Sequence, residues 1–168
     1  MFKKIILALL VALPMSAAAQ KFGTVDINSI IETMPEVADL QRQITEATQK
    51  YEAEFQKLVE EVNKLYTEYQ QIAEDPATPQ TIKDRRIQEI TDRQQKVEQF
   101  RTTATQDLQR QQEQLMAPIQ ARMNDAIKAV GQEGGYTFIF PNEPSLILYQ
   151  GVDVVDVPPA VKTKLGIQ

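Results

Sequence analysis

The sequence predicts an α+β fold in which a small β-rich body is split by a long antiparallel α-helical coiled-coil hairpin. Three features carry that expectation. Apolar or aromatic residues recur at steps of three and four across residues 37–72 with no Gly or Pro among them. Pro76 and Pro79 then interrupt the pattern. Short β-branched and aromatic runs stand near both ends of the chain. At 168 residues the chain is one ordinary domain, or a small domain carrying an extension, and not a multidomain enzyme.

Residues 1–19 are expected to be a secretory signal peptide. Lys3 and Lys4 give a charged start, residues 5–13 are apolar, Pro14 breaks the run, and Ala17, Ala18 and Ala19 form the small-residue cleavage pattern. Cleavage after Ala19 leaves Gln20 as the first residue of the mature chain. The apolar run falls short of the ~20 residues a spanning helix needs, and no cysteine follows it to accept a lipid. An exported, soluble product is the expectation.

Residues 22–26 (FGTVD) read as a strand that ends at Asp26, a cap for a short helix through Ile30 and Ile31. Thr33 and Glu36 are three apart, so hydroxyl and carboxylate are expected to satisfy each other's amide donors at the start of the first long helix. Its seam runs through Val37, Leu40, Ile44, Ala47, Tyr51, Phe55, Leu58, Val62, Leu65, Tyr69 and Ile72, with one stutter from Tyr51 to Phe55. At 1.5 Å per residue such a helix is a rod on the order of 55–60 Å long.

A turn at residues 74–80 ends this helix, because Pro76 and Pro79 cannot both be helix interior; Thr78 is the expected cap of the next helix, with Pro79 in its first turn. The second seam is weaker. It joins Ile87, Ile90, Val97, Phe100, Ala104, Leu108, Leu115, Ile119, Met123, Ala126 and Val130 only if Gln94 and Gln111 occupy seam positions, which costs stability. Pro118 should kink this helix. Residues 36–75 carry 4 basic and 10 acidic side chains and residues 80–128 carry 9 and 7, so an acidic helix folds back on a mildly basic one. Equal lengths about a short turn demand an antiparallel pair.

The arm is thus expected over residues 36–128, and the body from residues 20–35 with 129–168. Gly131, Gly134 and Gly135 should end the long helix. Residues 136–140 (YTFIF) and 145–149 (SLILY), separated by Pro141 and Pro144, then read as a β-hairpin beside the N-terminal strand. Asp156 caps a closing helix that begins with Pro158 and Pro159 and ends at Gly166. The body has only 56 residues, near the limit for an independent core. Its apolar side chains Val25, Ile27, Phe138, Phe140, Leu146 and Leu148 are therefore expected to meet across subunits.

Composition removes whole classes of chemistry. With no Cys, His or Trp, the chain has no thiolate or imidazole nucleophile, no zinc-finger ligands and no disulfides. The carboxylates fall on outward helix positions, Asp153 and Asp156 lack a calcium-loop pattern, and the glycines follow a helix where a phosphate loop would open one. No catalytic residue, cofactor or metal site is expected. A formal charge of −5 gives no global attraction for nucleic acid. Lys83, Arg85, Arg86 and Arg93, near the tip of the arm, could contact an anionic partner or client, or pair with Glu68, Glu74 and Asp75 of the facing helix. Tyr66 falls off the seam and is a candidate client contact.

The strand from Lys21 to Asp26, the Met34, Pro35, Glu36 helix start, the long charged hairpin and the returning strand from Tyr136 to Phe140 together resemble the Skp/OmpH family of periplasmic chaperones, over essentially the whole mature chain. The resemblance implies a homotrimer whose split bodies assemble a β-barrel-like core while three helical hairpins extend as tentacles. An unfolded outer-membrane β-barrel protein would be held between them without ATP. It places Val25, Ile27, Phe138, Phe140, Leu146 and Leu148 in the assembly core. Charge is the departure. The mature chain has 16 basic and 23 acidic residues, a balance that opposes lipopolysaccharide or membrane-surface binding and leaves only the mildly positive second helix to attract either. The alternative to a holdase is a coiled-coil spacer or adaptor of the cell envelope.

Overall fold

A computed structural model describes residues 20–167; the signal peptide expected over residues 1–19 lies outside the described residues. The chain forms two compact units, one from residues up to Ile30 together with those from Met123 onward, the other from Ile31–Arg122.

The first unit holds a three-stranded sheet. β1 (Phe22–Val25) leads into the short α1 (Ile27–Ile31), which starts where the sequence placed it: Asp26 accepts the Ser29 amide at 3.0 Å, and the Ser29 hydroxyl returns a bond to the Asp26 carbonyl. β2 (Phe138–Pro141) and β3 (Val155–Asp156) flank β1, and both run parallel to it. Phe22 lies opposite Phe138, and Thr24 stands between Phe140 and Asp156. The expected hairpin of residues 136–140 with 145–149 does not form. Pro141, which has no amide to donate, ends β2 at the sheet edge. Beyond Pro144, the Glu143 carbonyl accepts the amides of both Leu146 and Ile147, at 2.9 and 3.0 Å, so this stretch coils into a turn. The third strand comes only at Val155.

Val25, Ile30, Met123, Ala126, Val130, Val157, Val161 and Leu165 are buried. The last two lie on α4 (Pro158–Leu165), whose cap is Val157 and not Asp156. Prolines in its first turn leave fewer amide donors for an acidic cap to satisfy. Gly166, at φ +73°, closes α4 as expected.

The second unit is a helical hairpin. α2 (Pro35–Ala73) pairs with α3 (Gln80–Glu133), whose last turns belong to the first unit. The expected reciprocal cap by Thr33 and Glu36 is replaced by an extended Met34 at the cap position, with no side-chain bond, because Pro35 already presets the first turn. Glu36 pairs instead with Arg122. Antiparallel register is visible in two ion pairs. Glu68 meets Arg86 and Glu61 meets Arg93, seven residues farther from the turn on each helix.

Leu40, Ile90, Ala104 and Ile119 are the buried side chains of this seam, and most other seam positions are half-buried. Gln94 does not join the seam: it is exposed, as is Ile87, while Gln111 is half-buried and donates to Asp107. α3 continues through Pro118 as a single helix.

Its end is a Schellman arrangement. Tyr136 N–H reaches the Gly131 carbonyl at 3.0 Å and Gly135 N–H the Gln132 carbonyl at 3.4 Å, with Gly135 at φ +65°. Gly131 lies within the helix rather than beyond it.

Candidate functional site

The turn at the end of the hairpin is built on Asp75. Its carboxylate accepts the Ala77 amide at 2.9 Å and the Thr78 hydroxyl at 2.7 Å. The hydroxyl expected to cap α3 is thereby used inside the turn. These two bonds, the Thr78 one first, and the Lys83 charge nearby hold the Asp75 carboxyl below its ordinary value, against a smaller opposing effect of desolvation. The Lys83 ammonium in turn donates to the Ala73 carbonyl at 2.7 Å, satisfying an orphan acceptor at the end of α2.

The other cations singled out from the sequence are engaged by carboxylates of the same hairpin. Arg85 lies 3.7 Å from Glu89, Arg86 lies 2.7 Å from Glu89 and 3.7 Å from Glu68, and Arg93 lies 3.1 Å from Glu61. Of the three facing carboxylates expected for this cluster, Glu68 pairs across the helices, and Asp75 acts on Lys83 through charge. Tyr66 is exposed on α2. Between and beyond the charges, the outward face of α3 is lined by amides and hydroxyls, among them Gln95, Gln99, Thr102, Gln109 and Gln112.

In the first unit the six apolar residues separate into two environments. Val25 is 2 % exposed and belongs to the chain's own core, and Ile27 is half-buried at the start of α1. Phe138, Phe140, Leu146 and Leu148 are exposed, Leu148 at 95 %. On β2, Phe138 stacks on Phe22 with ring centroids 6.3 Å apart, and Phe140 follows at 5.7 Å from Phe138, so an aromatic row covers one face of the sheet. Tyr149 and Val152 are exposed as well, Val152 fully. Neither is among the residues expected from the sequence to meet across subunits. The signal available for them was their position inside and just after a β-branched run with no second polar face. Thr24, on the aromatic side of the sheet by its register with Phe140, is 3 % exposed, and its hydroxyl has no hydrogen-bond partner among the described residues.

An open cleft of about 580 Å³ at the carboxyl ends of the strands is lined by Asp26, Asn142, Asp156 and Lys162 among others. No group of three carboxylates that could hold a metal ion occurs among the described residues. No described helix is long and apolar enough to cross a membrane.

The described chain thus comprises a long two-helix hairpin and a small parallel sheet with exposed aromatic side chains. The family described as Outer membrane protein (OmpH-like) matches residues 21–165, and the chain belongs to it. The kind of protein this family comprises is the non-enzymatic periplasmic chaperone. No curated protein matches the chain.

Proposed function

We propose that the chain is an ATP-independent holdase, cleaved after Ala19 on export to the periplasm, that binds unfolded outer-membrane β-barrel proteins and keeps them from aggregating. The family match over residues 21–165 carries this reading. Three copies associate through the exposed apolar surface of Phe138, Phe140, Leu146 and Leu148, and the client is held among the three hairpins. A client that must stay unfolded needs many weak, exchangeable contacts. The hairpin supplies them with a long two-helix surface on which few side chains are fully buried. The exposed apolar surface of the first unit supports self-association, because monomeric soluble proteins rarely leave such patches uncovered.

The test is the solution mass of the mature chain alone and with a urea-unfolded outer-membrane barrel protein, by light scattering after size exclusion. A trimer that gains one soluble client and suppresses its aggregation at stoichiometric ratio is expected. A monomer or dimer that ignores the client refutes the proposal. Replacing residues 74–80 with a Gly-Ser turn should leave capture largely intact, whereas an envelope adaptor docking through its tip would lose its partner.

A further inference from the structure

Removal of residues 1–19, on the proposed export reading, exposes a glutamine at the start of the chain. An N-terminal glutamine carries a nucleophile and an electrophile on one residue: its α-amine can reach its own side-chain carboxamide to close a five-membered ring. Whether the ring closes depends on what else holds those groups. Gln20 is exposed, lies outside β1, and its side chain makes no hydrogen bond among the described residues.

Lys21, one residue on, is anchored by three contacts. Its carbonyl accepts the Thr137 amide at 2.7 Å. Its ammonium donates to the Gly134 carbonyl at 3.0 Å and lies 4.0 Å from the Tyr136 ring centroid. The backbone is therefore held from Lys21 onward, and both reacting groups belong to the one residue in front of it that is not.

We infer that Gln20 of the exported chain is a cyclisation site and that the mature N-terminus is pyroglutamate. The neutral α-amine attacks Cδ of its own side chain, the N–Cδ bond forms, and the Cδ–Nε2 bond breaks. The amine's proton passes to the departing nitrogen, which leaves as ammonia. No oxidant, reductant or cofactor enters the balance. An α-amino group titrates at about 7.7–8.0, so near neutral pH a usable fraction is uncharged. The product has lost its α-ammonium and is closed to aminopeptidases. That protection lies two residues from β1, the central strand, on which both β2 and β3 pair. Stepwise trimming into Phe22 would remove the partner of Phe138 in β2, and one residue further the partner of Val155 in β3.

The full chain with its leader is expressed, the exported protein is quenched at harvest, and the peptide released by cleavage after Asp26 is examined by mass spectrometry with and without an amine-labelling reagent. The expected peptide begins at residue 20, is lighter than the open form by the mass of one ammonia, and takes label only at Lys21. The Gln20→Asn variant should be exported and cleaved alike yet remain open and label at both amines, since its ring would have four members. A peptide that begins at Gln20 with full mass and a reactive α-amine overturns the cyclisation while leaving the export reading intact. A chain that keeps its leader, or begins elsewhere, overturns both.

Discussion

Midway along the hairpin, one carboxylate joins the two helices. Asp107 on α3 accepts the Tyr51 hydroxyl of α2 and the Gln111 amide on one oxygen, and pairs with Arg110 through the other; its side chain is only 19 % exposed. The Tyr51 ring stands edge-on to Phe100, centroids 6.0 Å apart. Tyr51→Phe keeps that ring contact and removes one donor from a charged acceptor. Gln111 and Arg110 remain to satisfy the carboxylate, so the loss should fall at the low end for hydrogen bonds to charged groups, about 1.5 kcal/mol. Asp107→Ala removes the acceptor of all three donors and leaves a half-buried hydroxyl unpaired, for about 2–3 kcal/mol. Combined, the two changes should cost less than their separate effects added, with a coupling of about 1 kcal/mol. Native-state hydrogen exchange of the hairpin amides is the suitable assay, because it reads local opening and is insensitive to the assembly of the first unit. Additivity within about 0.3 kcal/mol would refute the argument, showing that the bond across the helices carries no net stability of its own.

Four further outcomes are expected. Leu40→Ala, at the buried seam position of α2, should destabilise the start of that helix by about 2–5 kcal/mol, measured by exchange of its amides. Thr78→Val should raise the Asp75 pKa toward its ordinary value in a carbon-detected NMR titration, because the largest lowering contact is gone. Since that pKa is depressed in the folded chain, the stability it lends the turn is complete above the unfolded value and is lost as pH falls through the folded one, so exchange at residues 75–78 should show excess opening only in acid. Gly134→Ala places a Cβ 2.4 Å from Tyr136 Cε2 and 2.9 Å from the Val130 carbonyl; the ring must leave Lys21, for a destabilisation of about 1–3 kcal/mol seen in thermal melts. Leu148→Glu should lower the solution mass under the proposed assembly while leaving helical circular dichroism unchanged, since this side chain is 95 % exposed in the single chain.

The helices were legible because their periodicity is long. Eleven seam positions over residues 37–72 leave few alternatives, and Pro76 and Pro79 mark the turn without help from tertiary structure. Caps were less legible. Asp26 behaves as its local chemistry dictates, but Met34 and Val157 take the cap positions expected for Thr33 and Asp156, and Thr78 bonds Asp75 instead of capping α3. A proline in the first turn of α2 and of α4 removed the donors that would have rewarded a cap. The Thr78 hydroxyl found Asp75 closer than the start of α3. Gln94 illustrates the same limit: heptad counting gave it a seam place, yet the ion pair from neighbouring Arg93 to Glu61 is what spans the two helices there.

Residues 145–149 failed for a reason that bears on function. Their composition is that of a strand, and an antiparallel hairpin would have buried alternate members against the sheet. The sheet is parallel instead, so β1 and β2 run the same way, and the segment after β2 must travel back before another strand can pair. That return is where Leu146, Leu148, Tyr149 and Val152 lie, outside the core of their own chain. In a unit this small, every apolar side chain is needed for burial, and leaving four large ones in water while aromatic rings also remain exposed on β2 works against the stability of a lone copy. The strand-like pattern and the parallel topology are reconciled if the burial is completed by other copies of the chain. The same mismatch between strand-like pattern and parallel topology is thus the main physical support for the proposed self-association.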